Sequence, residues 1–346
     1  MNIYQEKFGE WDGREVTAYT LVNNQGMKVT SLNYGGIITK MMVPDQQGNI
    51  ENVVLGFDKL EDYQTHSPYF GAIIGRVAGR IGEAQFQLND EVYQLEKNDR
   101  GNHLHGGVKG LDKVIWNVET VETDENVSLV FSYLSKDGES GYPGNVQMKI
   151  TYTLNNDNEF ILAYEGVSDK TTLLNVTNHT YFNLSGNVKR DIQDHLLQLK
   201  SKEFLQLTEE LLPTGTILPV EGTPFDFSTG RAIRDGVESE HPQNILAGHG
   251  YDHPFLLQDE PDPIVLKDEE SGRSLTIETD QPCVVLYTGN QLEGDFTVHD
   301  GVPIRKHLGL CLETQGLPDS IHHPHFPSCI LEKGQVYTAY TKWKFR

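Results

Sequence analysis

The feature that most constrains the fold is a period of two in apolar residues. In NVQMKITYTL, residues 145–154, Val146, Met148, Ile150, Tyr152 and Leu154 alternate with Gln147, Lys149, Thr151 and Thr153. Successive side chains of a strand point to opposite faces, so this is a half-buried strand. The polar NNDN follows, then EFILAYEGV, which together predict a hairpin with a short polar loop. Upstream, VSLVFSYL puts Val127, Leu129, Phe131 and Tyr133 on one face. SLTIETD, PCVVLYTGN, HLGLCLET and VYTAYTKWKF repeat the theme near the C-terminus, with turn residues (33 Gly, 15 Pro) between strands. Helical periodicity is scarce. Short helices are expected around residues 60–64 and 208–212, the second capped by Thr208 and stopped by Pro213. Many antiparallel strands with turns between them imply an all-β sandwich or barrel. No low-complexity linker divides residues 1–346, so one large, layered β-domain is expected.

Charge and cysteine content narrow the function. Lys plus Arg is 28 and Asp plus Glu is 50, a net charge of -22. Such a surface repels phosphodiester backbones and anionic lipid, so neither nucleic acid nor a membrane is expected as a partner. Cys283, Cys311 and Cys329 are too few and too scattered for a disulfide framework, and no CxxC pair offers a zinc site. The start, MNIYQEKFGEWDG, has no apolar segment of a signal peptide, and no apolar run approaches the ~20 residues that span a bilayer. A soluble, cytoplasmic protein is the expectation. No strand leads into GxGxxG, and neither GxxxxGK[ST] nor GxSxG occurs, which removes the nucleotide loops and the serine elbow.

Five segments combine turn glycines with reactive residues or pack such residues densely: GRVAGRI (75–81), GNHLHGG (101–107), TNHTYFNL (177–184), GYDHPF (250–255) and LETQGLPD (312–319). KTTLL, just before the third, reads as a strand, yet the chain then carries an imidazole, His179, beside an aromatic pair. His103 and His105 form an HxH that would share a strand face. No carboxylate follows before Asp112, so a metal reading lacks its third ligand. Cys311, two residues before Glu313, should share that residue's face and reads as a small hydrophobe near a site. Acid–base chemistry remains, with His179, His105, Asp252 and Glu313 and with Arg80 as a fixed cation. Carboxylates and Arg suit an uncharged polyhydroxylated substrate. Tyr181 and Phe182 could cover an apolar ring face.

These segments identify a resemblance. Asn175–Leu184 fits the pattern [NS]-x-T-N-H-x-Y-[FW]-N-[LI] of the aldose 1-epimerase (galactose mutarotase) family at every position. GRxAxRI, LHGG, GYDH and ETQ follow the family's order, from about Leu32 to the C-terminus. The resemblance implies a large antiparallel galactose-mutarotase-like β-supersandwich and interconversion of the α and β anomers of free hexoses such as galactose and glucose. It implies that Glu313 is the general base on the anomeric hydroxyl and His179 the general acid on the ring oxygen. His105, Arg80 and Asp252 would bind the sugar, with Tyr181 and Gln315 as further contacts. No metal or organic cofactor is implied, because the sugar carries its own electrophile. One departure concerns Gly79: the family usually has Asn there (GRxANRI), so affinity or sugar preference should differ while the chemistry survives.

The physical logic runs parallel to the resemblance. Ring oxygen and anomeric hydroxyl share one carbon, so acid and base must converge on one small region. A free glutamate titrates near ~4.3, which would leave Glu313 an unprotonated base at neutral pH, and a free histidine near ~6.5. Alternatives are an epimerase of the same fold acting on a hexose phosphate or a disaccharide, and a non-catalytic sugar-binding module. For the phosphate reading, Arg76 and Arg80 lie four apart and would face one side of a strand. A purely structural β-domain would explain neither His179 nor Glu313.

Overall fold

The computed structural model describes residues 1–258 and 262–346. Three antiparallel sheets carry the fold. The largest has nine strands, in the order Asn117–Glu122, Asn126–Ser135, Val146–Asn155, Glu159–Ser168, Val336–Phe345, Ser274–Thr279, Ile264–Lys267, Leu196–Gln198 and Arg231–Ala232. The second has six, in the order Tyr181–Phe182, Leu310–Gln315, Cys283–Tyr287, Asp252–Leu256, Glu203–Leu207 and Pro213–Pro219. The third is a five-stranded meander from Asn2–Trp11 to Ile50–Asn52. The C-terminal strand lies in the middle of the nine-stranded sheet, between Glu159–Ser168 and Ser274–Thr279.

The alternation that predicts strands also selects the core. Val146, Met148, Ile150, Tyr152 and Leu154 are all fully buried, while Gln147 and Lys149 are exposed. Each such side chain removed from water contributes about 1.5–3 kcal/mol. The hairpin after it forms as expected: Asn155 Oδ1 accepts from the amides of Asp157 (2.9 Å) and Glu159 (3.1 Å). One continuous core takes residues from all three sheets, among them Leu21 and Met41, Phe131 and Leu162, and Leu286 and Leu312.

A helix at Leu60–Thr65 matches its expectation. Residues 208–212 do not form a helix. They close the hairpin between Glu203–Leu207 and Pro213–Pro219. Thr208 does use its hydroxyl as a cap would, accepting from Leu212 N–H at 3.2 Å. However, Leu211 adopts a left-handed φ of 60°, which ends any helical run, and Pro213 begins the next strand. Helices instead occur at Arg234–Val237 and Pro242–Leu246. No helix among the described residues is long and apolar enough to cross a membrane.

Candidate active site

One face of the six-stranded sheet builds the floor of a cleft. In register, Glu313 faces Val285, Cys311 faces both Tyr181 and Tyr287, Gln315 faces Cys283, and Tyr287 faces Asp252. Period two places these side chains together. The intervening residues Phe182, Leu310, Leu312, Leu286 and Phe255 point into the core. Phe182 packs its ring at 5.0 Å from Trp343, so it does not cover a sugar face; only Tyr181 lines the cleft. Adjacent strand residues cannot both face the cleft. The cavity is about 190 Å³, and its lining includes Arg80, His105, His179, Tyr181, Asp252, Glu313, Gln315 and the backbone of Gly79, the residues that the resemblance points to.

The polar residues around His179 act as braces. Thr177 Oγ1 donates to Thr314 O at 2.9 Å, and Asn175 both accepts from Gly316 N–H (2.8 Å) and donates to Gly316 O (3.2 Å). These bonds tie the histidine segment to the strand of Glu313. On the other side, Asn178 Nδ2 donates to Gly71 O (3.0 Å), and His179 N–H donates to Ala72 O (3.0 Å). As a result His179 Nε2 stands 3.5 Å from Glu313 Oε1, with both side chains buried. Cys311 shares the face of Glu313, as its spacing predicts, and its Sγ lies 3.4 Å from His179 Nδ1.

His105 arrives from a different segment. Its backbone has a left-handed φ of 53°, which turns His103 and His105 away from a common face. His103 is buried elsewhere, with Nδ1 2.7 Å from Glu96 O and its ring against Tyr142. His105 packs its ring perpendicular to that of His179, at 5.1 Å. Its Nδ1 accepts from Gly79 N–H at 3.2 Å, and its own N–H returns to Gly79 O at 3.0 Å. With Nδ1 accepting, the neutral ring carries its proton on Nε2. Gly79 itself has φ 74°, and a Cβ there would sit 2.9 Å from Pro318 Cβ. The glycine is thus set by backbone conformation and by Pro318.

His105, His179 and Glu313 offer ligand-type atoms all within 4.8 Å of one another, so a carboxylate does approach His105, but with His179 rather than His103 as the second imidazole. The lock on His105 Nδ1 means that this ring presents an N–H to the cleft, not the lone pair a metal needs.

Burial dominates the electrostatics. It pushes Glu313 well above the usual carboxylate range, reinforced by the charge of Asp252 and opposed by Arg80. This departs from the expectation of an ordinary, fully ionised glutamate. Burial lowers His179 to about 4 and holds His105 well below a free imidazole. Asp252 is also raised by burial, with Arg80 opposing. Arg80 is held by Asp99, Nε to Oδ2 at 2.7 Å. Arg76 takes no part: it is buried, and its guanidinium donates to the carbonyls of Ser135, Lys136, Pro143 and Gly144 and to Ser135 Oγ. Among the described residues lining the cavity, Arg80 is the only Lys or Arg.

Sequence reasoning missed several lining residues. Tyr69 puts its ring 4.8 Å from that of His105 and 5.7 Å from that of His179. Tyr287 and Val285 come from a strand that was read correctly, but not as part of the site. Leu207, Leu211 and Pro213 come from the hairpin misread as a helix. The sequence IHHPH at 321–325 also contacts that hairpin: His323 Nε2 lies 3.2 Å from Pro213 O, and His325 Nε2 2.9 Å from Gly215 O.

A supersandwich holding a buried imidazole–carboxylate pair in a cleft of about 190 Å³ defines a candidate acid–base site on the mutarotase-like fold. Comparison with known proteins agrees. The family profile described as aldose 1-epimerase matches residues 17–344. The galactose mutarotase of Rattus norvegicus is 39% identical over 350 residues, 100% of this chain and 99% of that one. The aldose 1-epimerase of Haemophilus influenzae is 38% identical over 349 residues, 99% of this chain and 100% of that one. The crystal structure of galactose 1-epimerase from Lactobacillus acidophilus NCFM has a TM-score of 0.88 and 31% identity, covering 100% of this chain and 98% of that one. The chain belongs to the aldose 1-epimerase family and is an isomerase.

Proposed function

We propose that the protein interconverts the α and β anomers of free hexoses such as galactose and glucose, with Glu313 as base and His179 as acid. The observation that carries the roles is the 3.5 Å approach of His179 Nε2 to Glu313 Oε1 inside a sugar-sized cleft. Glu313 takes the proton of the anomeric hydroxyl while His179 gives one to the ring oxygen. The C1–O5 bond breaks, the aldehyde turns about C1–C2, and the ring recloses on the other face with the transfers reversed. The pair needs one proton between its two members. Before a sugar binds, burial favours that proton on Glu313. A sugar hydroxyl donating to the carboxylate stabilises its charged form, which moves the proton to His179.

Around this centre, Arg80 and His105 Nε2–H are donors for ring oxygens, and Asp252 is an acceptor. Gln315 is fully buried, and its Oε1 has no partner, which suits a hydroxyl donor. Tyr181 contributes an aromatic wall; its hydroxyl is already spent on Pro68 O at 3.0 Å. Gly79 contributes by its backbone, which orients His105. The reaction as drawn uses no metal or organic cofactor.

The confinement of Arg76 to a structural role weighs against a hexose phosphate, since one guanidinium remains in the cleft. We take residues 1–346 to act as one domain, supported by the C-terminal strand's central place in the largest sheet. A cytoplasmic location and no nucleic-acid partner remain our reading of the composition.

The test is polarimetry of fresh α-D-galactose, α-D-glucose and α-D-glucose 6-phosphate with and without the protein. Faster approach to an unchanged final rotation with the free sugars supports the reading. Acceleration with the phosphate alone would replace it.

A further inference from the structure

We propose that Cys311 is a positioning residue for His179: its sulfur accepts the Nδ1 proton, so that Nε2 alone exchanges protons with sugar and Glu313. This rests on the roles proposed above for that pair.

Three observations carry it. First, Sγ lies 3.4 Å from Nδ1, within reach of an N–H···S bond, while Nε2 of the same ring faces Glu313. The two nitrogens thus have separate partners. Second, the position of the sulfur is fixed by the sheet. Cys311 is registered against Tyr181 on one side and Tyr287 on the other, two residues from Glu313 on one strand face. The strand that delivers the base therefore also delivers the group behind the acid. Third, the sulfur is fully buried, so water does not compete for Nδ1.

The chemistry of an exchanging imidazole requires such a partner. Which ring nitrogen holds the fixed proton is set by the bond the other atom makes. If Nδ1 lost its proton when Nε2 gained one, the ring would return to the wrong tautomer for the next transfer. An acceptor at Nδ1 keeps that proton in place through opening and reclosure. Burial raises the thiol well above its usual range, so Cys311 stays neutral and acts by its lone pair rather than as a thiolate.

The experiment is ¹⁵N NMR of histidine-labelled protein, with the His179 signals assigned by their loss in His179→Asn, combined with anomer-exchange kinetics. The wild type should show a protonated Nδ1. Cys311→Ser, which keeps an acceptor, should retain that tautomer and most of the turnover. Cys311→Ala should mix the tautomers and lower kcat by about 10-fold, the low end for loss of an orienting partner, with KM little changed. A bare Nδ1 in the wild type would overturn the proposal. So would an unchanged tautomer in Cys311→Ala, which would mean that the carbonyl of His179 itself holds the proton. The expected tautomers without any acceleration of anomer exchange would support the positioning and overturn the epimerase reading, so the two fail separately.

Discussion

His179 Nε2 and Glu313 Oε1 stand 3.5 Å apart, although both side chains are buried and one comes from a connection between two short strands and the other from the strand Leu310–Gln315. Two groups that burial holds toward neutrality have been placed where one proton can pass between them and a third molecule.

Removing either member should therefore remove chemistry more than binding. Glu313→Gln should lower kcat by roughly 10²–10⁴, the usual span of a general-base contribution. His179→Asn should do the same. Polarimetric kinetics on galactose would check both, and near-wild-type turnover in either variant would refute the assigned roles.

The pH profile should be a bell whose limbs belong to the pair. Lowering the pH adds a second proton, on His179, with a midpoint near its lowered value of about 4. Raising the pH removes the last proton, from Glu313, well above the usual carboxylate range. Activity in kcat/KM should lie between. A rate that climbs to a flat alkaline plateau would show that the pair works without a proton.

The same burial has a stability consequence of known sign. Glu313 has a raised pKa in the folded state, so the stability associated with its protonated form is present below the ordinary carboxylate value and lost as pH rises through the folded value. Glu313→Gln, which cannot ionise, should melt higher than wild type at pH 8, by roughly 2 °C per kcal/mol recovered, and show little gain at pH 4. Equal shifts at both pH values in thermal melts would contradict this.

Gly79→Asn tests the departure from the family pattern. Asn tolerates a left-handed φ better than most residues, but its Cβ would press on Pro318 at 2.9 Å. We expect a stability loss of about 1–3 kcal/mol and altered Michaelis constants, because a shift of Gly79 moves the donor on His105. Unchanged constants for both galactose and glucose would refute the link.

The strands, their hairpin and the buried faces were legible because a period of two is local information. His179 and Glu313 stand out from their residue chemistry as acid–base candidates, but their separate roles come only through the resemblance, and no spacing within the chain shows that Thr177 and Asn175 brace the strand of Glu313. Two errors had local causes. The HxH was read as a straight strand, but His105 has a positive φ. Residues 208–212 carry a good cap and a stop, which serve a tight hairpin as well as a helix. Phe182 could have been excluded at once, since its neighbour Tyr181 already occupied the cleft side. Tyr69 left no trace, because its place depends on a left-handed backbone at a non-glycine residue.

The strand Leu310–Gln315 carries two alphabets, one on each side. Cys311, Glu313 and Gln315 serve the cleft and Leu310 and Leu312 serve the core. A slip of one residue would exchange them, seating leucines in the cleft and a carboxylate in the apolar core. No intermediate register exists, because the side-chain period is two, so the strand is either in place or wholly out of it. Core and cleft are thus lost together when that strand slips, and a preparation with a lower folded fraction should lose activity in proportion.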